Sequence, residues 1–173
     1  DECVMGHPVT PQIEPSCQWV LDGEGVATAK IDGTNVKIEA GVLYKRQKPP
    51  DRDYDEASYV LCRREDPADQ WAFEAFDRIM GRPADGIYEL VGPKVQGNPQ
   101  GETGHRLVAV VPYAPALDLR RVLADPPRSF DGLRDYLSTY LMEGIVFHHP
   151  DGRMAKIKRR DFGLPWPPQK TRA

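Results

Sequence analysis

Short alternating stretches dominate the front of the chain. Residues 25–30 (GVATAK), 34–38 (TNVKI) and 42–46 (VLYKR) place apolar and polar side chains in turn, the period of a half-buried strand. Glu39-Ala40-Gly41 separates the second from the third and predicts a hairpin. Residues 47–69 are polar, charged and Pro-containing, and read as a loop. From Pro67 the period lengthens: Trp71, Ala75 and Ile79, with Ala72, Phe76 and Met80, recur at four-residue spacing. Asp66 stands where an N-cap would, and Gly81 where a helix would stop. Strands resume at 87–91 and 107–111, around the turn-rich VGPKVQGNPQGETG. A second helix is predicted over 130–142, capped by Ser129. Phe130, Leu133, Tyr136, Leu137, Tyr140 and Leu141 form its apolar face. Gly144–His148 and Met154–Lys158 then flank Pro150-Asp151-Gly152, a second hairpin signal.

Strands outnumber helices and hairpins outnumber crossovers, so the pattern predicts an α+β protein with antiparallel β-sheets and flanking helices. With 173 residues, a single domain over 1–173 is expected. No apolar run has membrane-spanning length, and no basic-then-apolar leader opens the chain. Cys3, Cys17 and Cys62 are odd in number and widely spaced. They form neither a C-x-x-C pair nor a finger-like set with His, and read as free thiols of a reducing, cytoplasmic protein.

Charge adds one feature. The net charge is −3, yet residues 151–173 hold seven Lys/Arg against two acids, so the rest of the chain is markedly acidic. A basic end on an acidic body suggests a local anion site. A solvated terminal face would give the same count.

Several short stretches could carry chemistry. Lys30-Ile31-Asp32-Gly33 ends a strand with a lysine and follows it with a break. Alone, this is equally a hairpin with a surface lysine. Glu143-Gly144-Ile145-Val146-Phe147 opens an apolar strand with a carboxylate, and Gly144 would let another group approach the backbone. Lys156 and Lys158 share one face of a strand, where two ammonium groups repel unless an anion lies between them. An edge strand guarded by lysines explains the same pattern. Tyr88-Glu89-Leu90-Val91-Gly92 sets an acid in an apolar strand before a Gly-rich loop. Tyr44-Lys45-Arg46 ends another strand in a guanidinium suited to phosphate or sugar. His148 and His149 are adjacent on a strand, so they face opposite ways and are assigned no catalytic role.

Taken in order, K-x-D-G, Arg46, E-x-x-G, E-G-I-V-F and K-x-K resemble the covalent nucleotidyltransferase superfamily of DNA ligases, RNA ligases and mRNA capping enzymes. K-I-D-G-T-N and Y-E-L-V-G-P-K are most similar to the RNA ligase branch. The resemblance covers roughly residues 25–160. It implies a ligase adenylation-domain fold, ATP-grasp-like. It places Lys30 at the family's nucleophile, Glu89 at the third motif, Glu143 at the fourth, and Lys156 with Lys158 at the fifth. Arg46 is a looser match, with Arg52 as a substitute. In the strand after the third motif, where the family stacks the adenine on an aromatic, this chain reads Leu107-Val108-Ala109-Val110-Val111, with Tyr113 beyond.

The resemblance implies an ATP-dependent RNA ligase. Lys30 attacks the α-phosphate of ATP and becomes lysyl-AMP. AMP passes to an RNA 5′-phosphate, and a 3′-hydroxyl then displaces it. An ordinary lysine is neutral in only about four molecules in ten thousand at pH 7, so the chemistry needs nearby positive charge or desolvation. Lys156, Lys158 and Mg²⁺ or Mn²⁺ would supply that charge. Glu143, with Glu89, would hold the metal, and Glu89 more naturally grips the ribose. Ile31, Asp32, Gly33, Arg46, Glu89, Glu143, Lys156 and Lys158 are the implied nucleotide contacts. Only 13 residues follow Arg160, so no appended oligonucleotide-binding (OB) barrel is expected. The expected protein is a monomer that acts on RNA, in RNA repair, with no membrane partner. A capping-type guanylyltransferase and a degenerate ligase-fold nucleic-acid-binding module are the alternatives.

Overall fold

The computed structural model describes residues 8–47, 58–110 and 122–167. Its described elements form an α+β protein with two antiparallel sheets. The chain divides into two compact units, Asp1–Ile31 with Leu119–Ala173, and Asp32–Asp118. The boundary cuts K-I-D-G between Ile31 and Asp32.

The first unit contains a three-stranded sheet. β1 (Val26–Ala29) and β8 (Met154–Lys158) both pair antiparallel with β7 (Gly144–His148). The register puts Ala27, Phe147 and Ala155 in one row and Ile145 and Ile157 in the next, all on one face. That face buries itself against Trp19 and Val20 of α1 (Gln18–Leu21) and Leu133 and Leu137 of α3 (Phe130–Thr139). Ile145 and Leu137 are fully buried, each contributing roughly 2–3 kcal/mol over an exposed position. Ser129 caps α3 by accepting from the Gly132 amide. Arg159 seals the other end: its buried guanidinium donates to the Leu137, Tyr140 and Pro165 carbonyls.

The second unit is a five-stranded sheet in the order β4-β3-β2-β5-β6. The strands are β2 (Thr34–Glu39), β3 (Val42–Gln47), β4 (Ser58–Leu61), β5 (Gly86–Val91) and β6 (Arg106–Ala109). Ala40 and Gly41 join β2 to β3 with φ of 51° and 79°, the two-residue turn that matches strand twist. Val36, Ile38, Leu43 and Leu90 face the helix α2 (Gln70–Asp77) through Ala72 and Ala75, with Trp71, Phe73 and Phe76 around them. Of the predicted four-residue spacing, Trp71, Ala72, Ala75, Phe76 and Ile79 join this core.

A polar clamp holds the entry to α2. Asp66 accepts from the Ala68 amide, as an N-cap does. Asp69, 2% exposed, accepts from Lys45 at 2.7 Å and from the Arg63 amide at 2.9 Å. The hydrogen bond to Asp69 holds Lys45 above the ordinary lysine range. Burial pushes the neighbouring Cys62 thiol up to about 11, so it stays protonated. Asp69→Ala removes the acceptor of the Arg63 amide and leaves Lys45 only its longer contact to Asp66, 3.2 Å. It should cost about 1–3 kcal/mol in a denaturant titration, while the exposed Arg64→Ala should cost far less.

Three expectations change. The segment read as loop over 47–69 contains strand β4. It was illegible because an edge strand half exposed on both faces carries no clean alternation. Helix α2 ends at Asp77, short of Gly81, and Met80 is 97% exposed instead of buried. Likewise α3 ends at Thr139, so Leu141 lies beyond it, exposed. Cys17 and Cys62 are free thiols, as expected. Cys3, Arg52, Val111 and Tyr113 lie outside the described residues. No described helix is long and apolar enough to cross a membrane.

Candidate active site

The face of the three-stranded sheet turned away from its core carries the lysines. Thr28, Val146 and Lys156 form one row across β1, β7 and β8. One step along, Gly144 pairs with Lys158, and the Lys30 amide donates to the Gly144 carbonyl at 2.8 Å. Lys30 and Lys158 therefore flank a position that has no side chain. A Cβ on Gly144 would sit 2.2 Å from the Ile157 carbonyl oxygen and 2.9 Å from the Lys158 Cα. Both are backbone atoms that yield only if β8 shifts. Gly144→Ala should lower stability by about 1–3 kcal/mol, read as a lower thermal midpoint, and should displace the strand bearing Lys158.

Lys30 Nζ lies 2.5 Å from Glu143 Oε2, with the carboxylate only 6% exposed and the lysine 22%. Its second contact is a long one, 3.5 Å, to the carbonyl of Ile31. The Glu143 carbonyl accepts from the Arg159 amide at 2.8 Å, which fixes the residue where β7 begins. Lys158 is held by Asp161: its amide donates to Oδ2 at 2.8 Å and its ammonium lies 3.5 Å from Oδ1. Asp161 was not foreseen; it stands three residues after Lys158, in the first turn of a short helical stretch, where its carboxylate accepts from the Lys158 amide. Lys156 is exposed, and with Arg128 it lines an apolar cavity of about 250 Å³, partly open to solvent. Lys30 and Glu143 do not line this cavity.

The two histidines part as alternation requires. His148 is buried, with Nε2 2.9 Å from Thr28 Oγ1. His149 sits between Glu24 and Asp151, 2.7 Å from each. The hydrogen bond to Glu24 leads in raising its pKa above the ordinary 6.5. The stability this site contributes is present below pH 6.5 and is lost as pH rises through the higher folded value. An NMR titration should place the His149 midpoint above 6.5, and Glu24→Gln should lower it.

The remaining candidates lie in the second unit. Gly33 runs so close to β5 that a Cβ there would meet the Leu90 carbonyl oxygen at 2.4 Å and Glu89 Oε2 at 3.2 Å. This explains the glycine of K-I-D-G: it admits β2 against β5. Glu89 accepts from Asn35 Nδ2 at 3.2 Å, and the Asn35 oxygen accepts from the Tyr59 hydroxyl at 2.7 Å. Arg46 pairs in register with Tyr59. Sequence reasoning missed Asn35 and Tyr59, the second because it stands on the unforeseen β4. Val108 of β6 pairs with Glu89, so no aromatic occupies that position. The structure thus brings Lys30, Ile31, Glu143 and Lys158 together in one unit, and Gly33, Arg46 and Glu89 onto the sheet of the other. Asp32 begins the second unit, ahead of β2.

Among the described residues, no three His, Cys, Asp or Glu side chains converge to hold a metal ion. Mg²⁺ is commonly bound by one or two carboxylates together with substrate phosphates, and the single carboxylate of Glu143 fits that mode.

Comparison with known proteins supplies first a class, the RNA ligases. The family model of RNA ligase 1 matches residues 56–173, and the chain belongs to that family. Zebrafish (Danio rerio) RNA ligase 1 is 33% identical over 84 residues, and the orangutan (Pongo abelii) protein of the same name is 34% identical over 85. Each match covers 46% of this chain and a quarter of the relative's length. The family match contains Glu89, Glu143, Lys156 and Lys158. Lys30 and Arg46 precede it, so their assignment rests on the motif and the geometry.

Proposed function

We propose that this chain is the adenylating part of an ATP-dependent RNA ligase, with Lys30 as its nucleophile. The observation that carries this reading is the Lys30–Glu143 pair beside side-chain-free Gly144, with Lys158 on the far side. Two ammonium groups brought to the same end of one sheet repel unless an anion lies between them, and a phosphate suits that place.

In the first step the Lys30 amine attacks the α-phosphorus of ATP. The bond to the β-phosphate oxygen breaks, pyrophosphate leaves, and a phosphoramidate to AMP remains. Lys158, with Lys156, neutralises charge on the oxygens of the reacting phosphorus. Asp161 holds Lys158 in place for that task. Attack requires that Lys30 give up the proton that Glu143 now engages. A divalent cation held by Glu143 would supply positive charge to the phosphates. The resemblance also implies nucleotide contacts at Asp32, Gly33, Arg46 and Glu89 of the second unit, with Glu89 suited to the ribose. In the second step an RNA 5′-phosphate oxygen attacks the same phosphorus and Lys30 departs. In the third, a 3′-hydroxyl attacks the 5′-phosphate phosphorus and AMP leaves.

Intact-mass measurement after incubation with ATP and Mg²⁺ tests the reading. A gain of one AMP is expected, and it should disappear on adding 5′-phosphorylated RNA. Mass gained from GTP alone would sink the adenylating role in favour of a guanylyltransferase.

A further inference from the structure

The outer face of the second unit's sheet carries, beside Arg46 and Glu89, side chains to which the nucleotide chemistry gives no role. Strand alternation sets Asn35 and Lys37 of β2, Tyr44 and Arg46 of β3, and Tyr59 of β4 on the face opposite the Val36–Ile38–Leu43 core. Lys37 pairs in register with Tyr44, and Arg46 with Tyr59. The Lys37 ammonium lies 5.8 Å from the Tyr59 ring centroid. Both tyrosines are partly exposed, Arg46 is exposed, and the Lys37 side chain is 32% exposed. Glu89 joins the patch through Asn35.

Two tyrosine rings interleaved with two cations on a partly exposed stretch of sheet match one ligand chemistry well. Unstacked bases lie on aromatic rings, and the phosphates between them meet the cations. The ion pair of Lys37 with Glu39, at 2.7 Å, is exposed on both sides. Such pairs are worth little, so Lys37 can exchange its carboxylate for a phosphate at small cost. The hydroxyl of Tyr59 is fixed by Asn35, which orders the ring before a base arrives.

We propose that this face of β2, β3 and β4 binds single-stranded RNA, with Tyr44 and Tyr59 as stacking surfaces and Lys37 and Arg46 as phosphate contacts. The proposal deepens the ligase reading, on which its choice of RNA rests. It would place an RNA end next to Glu89 and make β4 a determinant of substrate preference.

Fluorescence anisotropy with a short fluorescein-labelled oligouridylate tests it, without ATP or metal. Lysine adenylation therefore does not enter the readout, and failure of either idea is seen separately. Tyr59→Leu should weaken binding about tenfold, the typical loss of one base stack. Tyr59→Phe should keep most of the affinity, because the ring remains. Lys37→Ala should lower the slope of log affinity against log salt by about 0.7. Arg64→Ala, on the helix side and paired with Asp77, should change neither. If Tyr59→Leu fails to fold, Tyr44→Leu takes its place, with the same loss expected. Binding that is unaffected by these changes, or equally tight for a blunt duplex, overturns the proposal. So does an absence of binding at low salt in a chain that forms the AMP adduct.

Discussion

A Lys30→Ala chain incubated with ATP and Mg²⁺ is expected to gain no mass, where the wild-type chain gains one AMP. Lys45 also meets a buried carboxylate, Asp69, but it belongs to the other unit and holds the entry to α2. Lys37, the nearest rival in sequence, belongs to the other unit and is paired with exposed Glu39. Lys30→Ala also removes the cation from a carboxylate that is 6% exposed. The variant should therefore lose about 1–3 kcal/mol of stability. The two effects separate in a second variant. Adding Glu143→Gln to Lys30→Ala removes the buried charge and should restore much of the stability, while the adduct stays absent. An adduct retained by Lys30→Ala would move the nucleophile elsewhere. An adduct lost together with the fold in both variants would leave Lys30 with a structural role.

Lys158→Ala is expected to slow adduct formation by about a hundredfold or more at saturating ATP. This is the loss seen when one group that stabilises charge in a transition state is removed. The fold should survive it. The Lys158 side chain is 30% exposed, and Asp161 keeps its bond to the backbone amide of residue 158. Lys158→Arg should recover part of the rate, because charge is kept while the shape changes. Single-turnover measurement of adduct mass against time reads the effect directly. Arg64→Ala is the comparator, an exposed cation of the other unit paired with Asp77. Equal rates for Lys158→Ala and Arg64→Ala would reduce the 156–160 run to a solvated edge.

Much of this site could be read from the chain because its chemistry is local. Six strands of the pattern, β1, β2, β3, β5, β7 and β8, fall where alternation and turn residues put them, to within a residue. Ser129 and Asp66 cap as their side chains dictate. Lys156 and Lys158 share a face because the strand period is two. Glu143 could be singled out because a carboxylate at the head of an apolar strand is costly unless it has a partner.

What the sequence could not carry was the identity of partners. The break at Asp32-Gly33 reads equally as a hairpin turn. Only pairing distant in sequence shows that β1 joins β7 while β2 joins β3 and β5. The short contact between Lys30 and Glu143 spans 113 residues, a separation that no local period encodes. The same is true of Tyr59, whose strand lacks a buried face to announce it and whose value lies in reaching Asn35. Residue types and periods thus determined which side chains could do chemistry and which way each one faces. Tertiary pairing alone decided which of them meet, because strand register is set by contacts made only once distant segments pack.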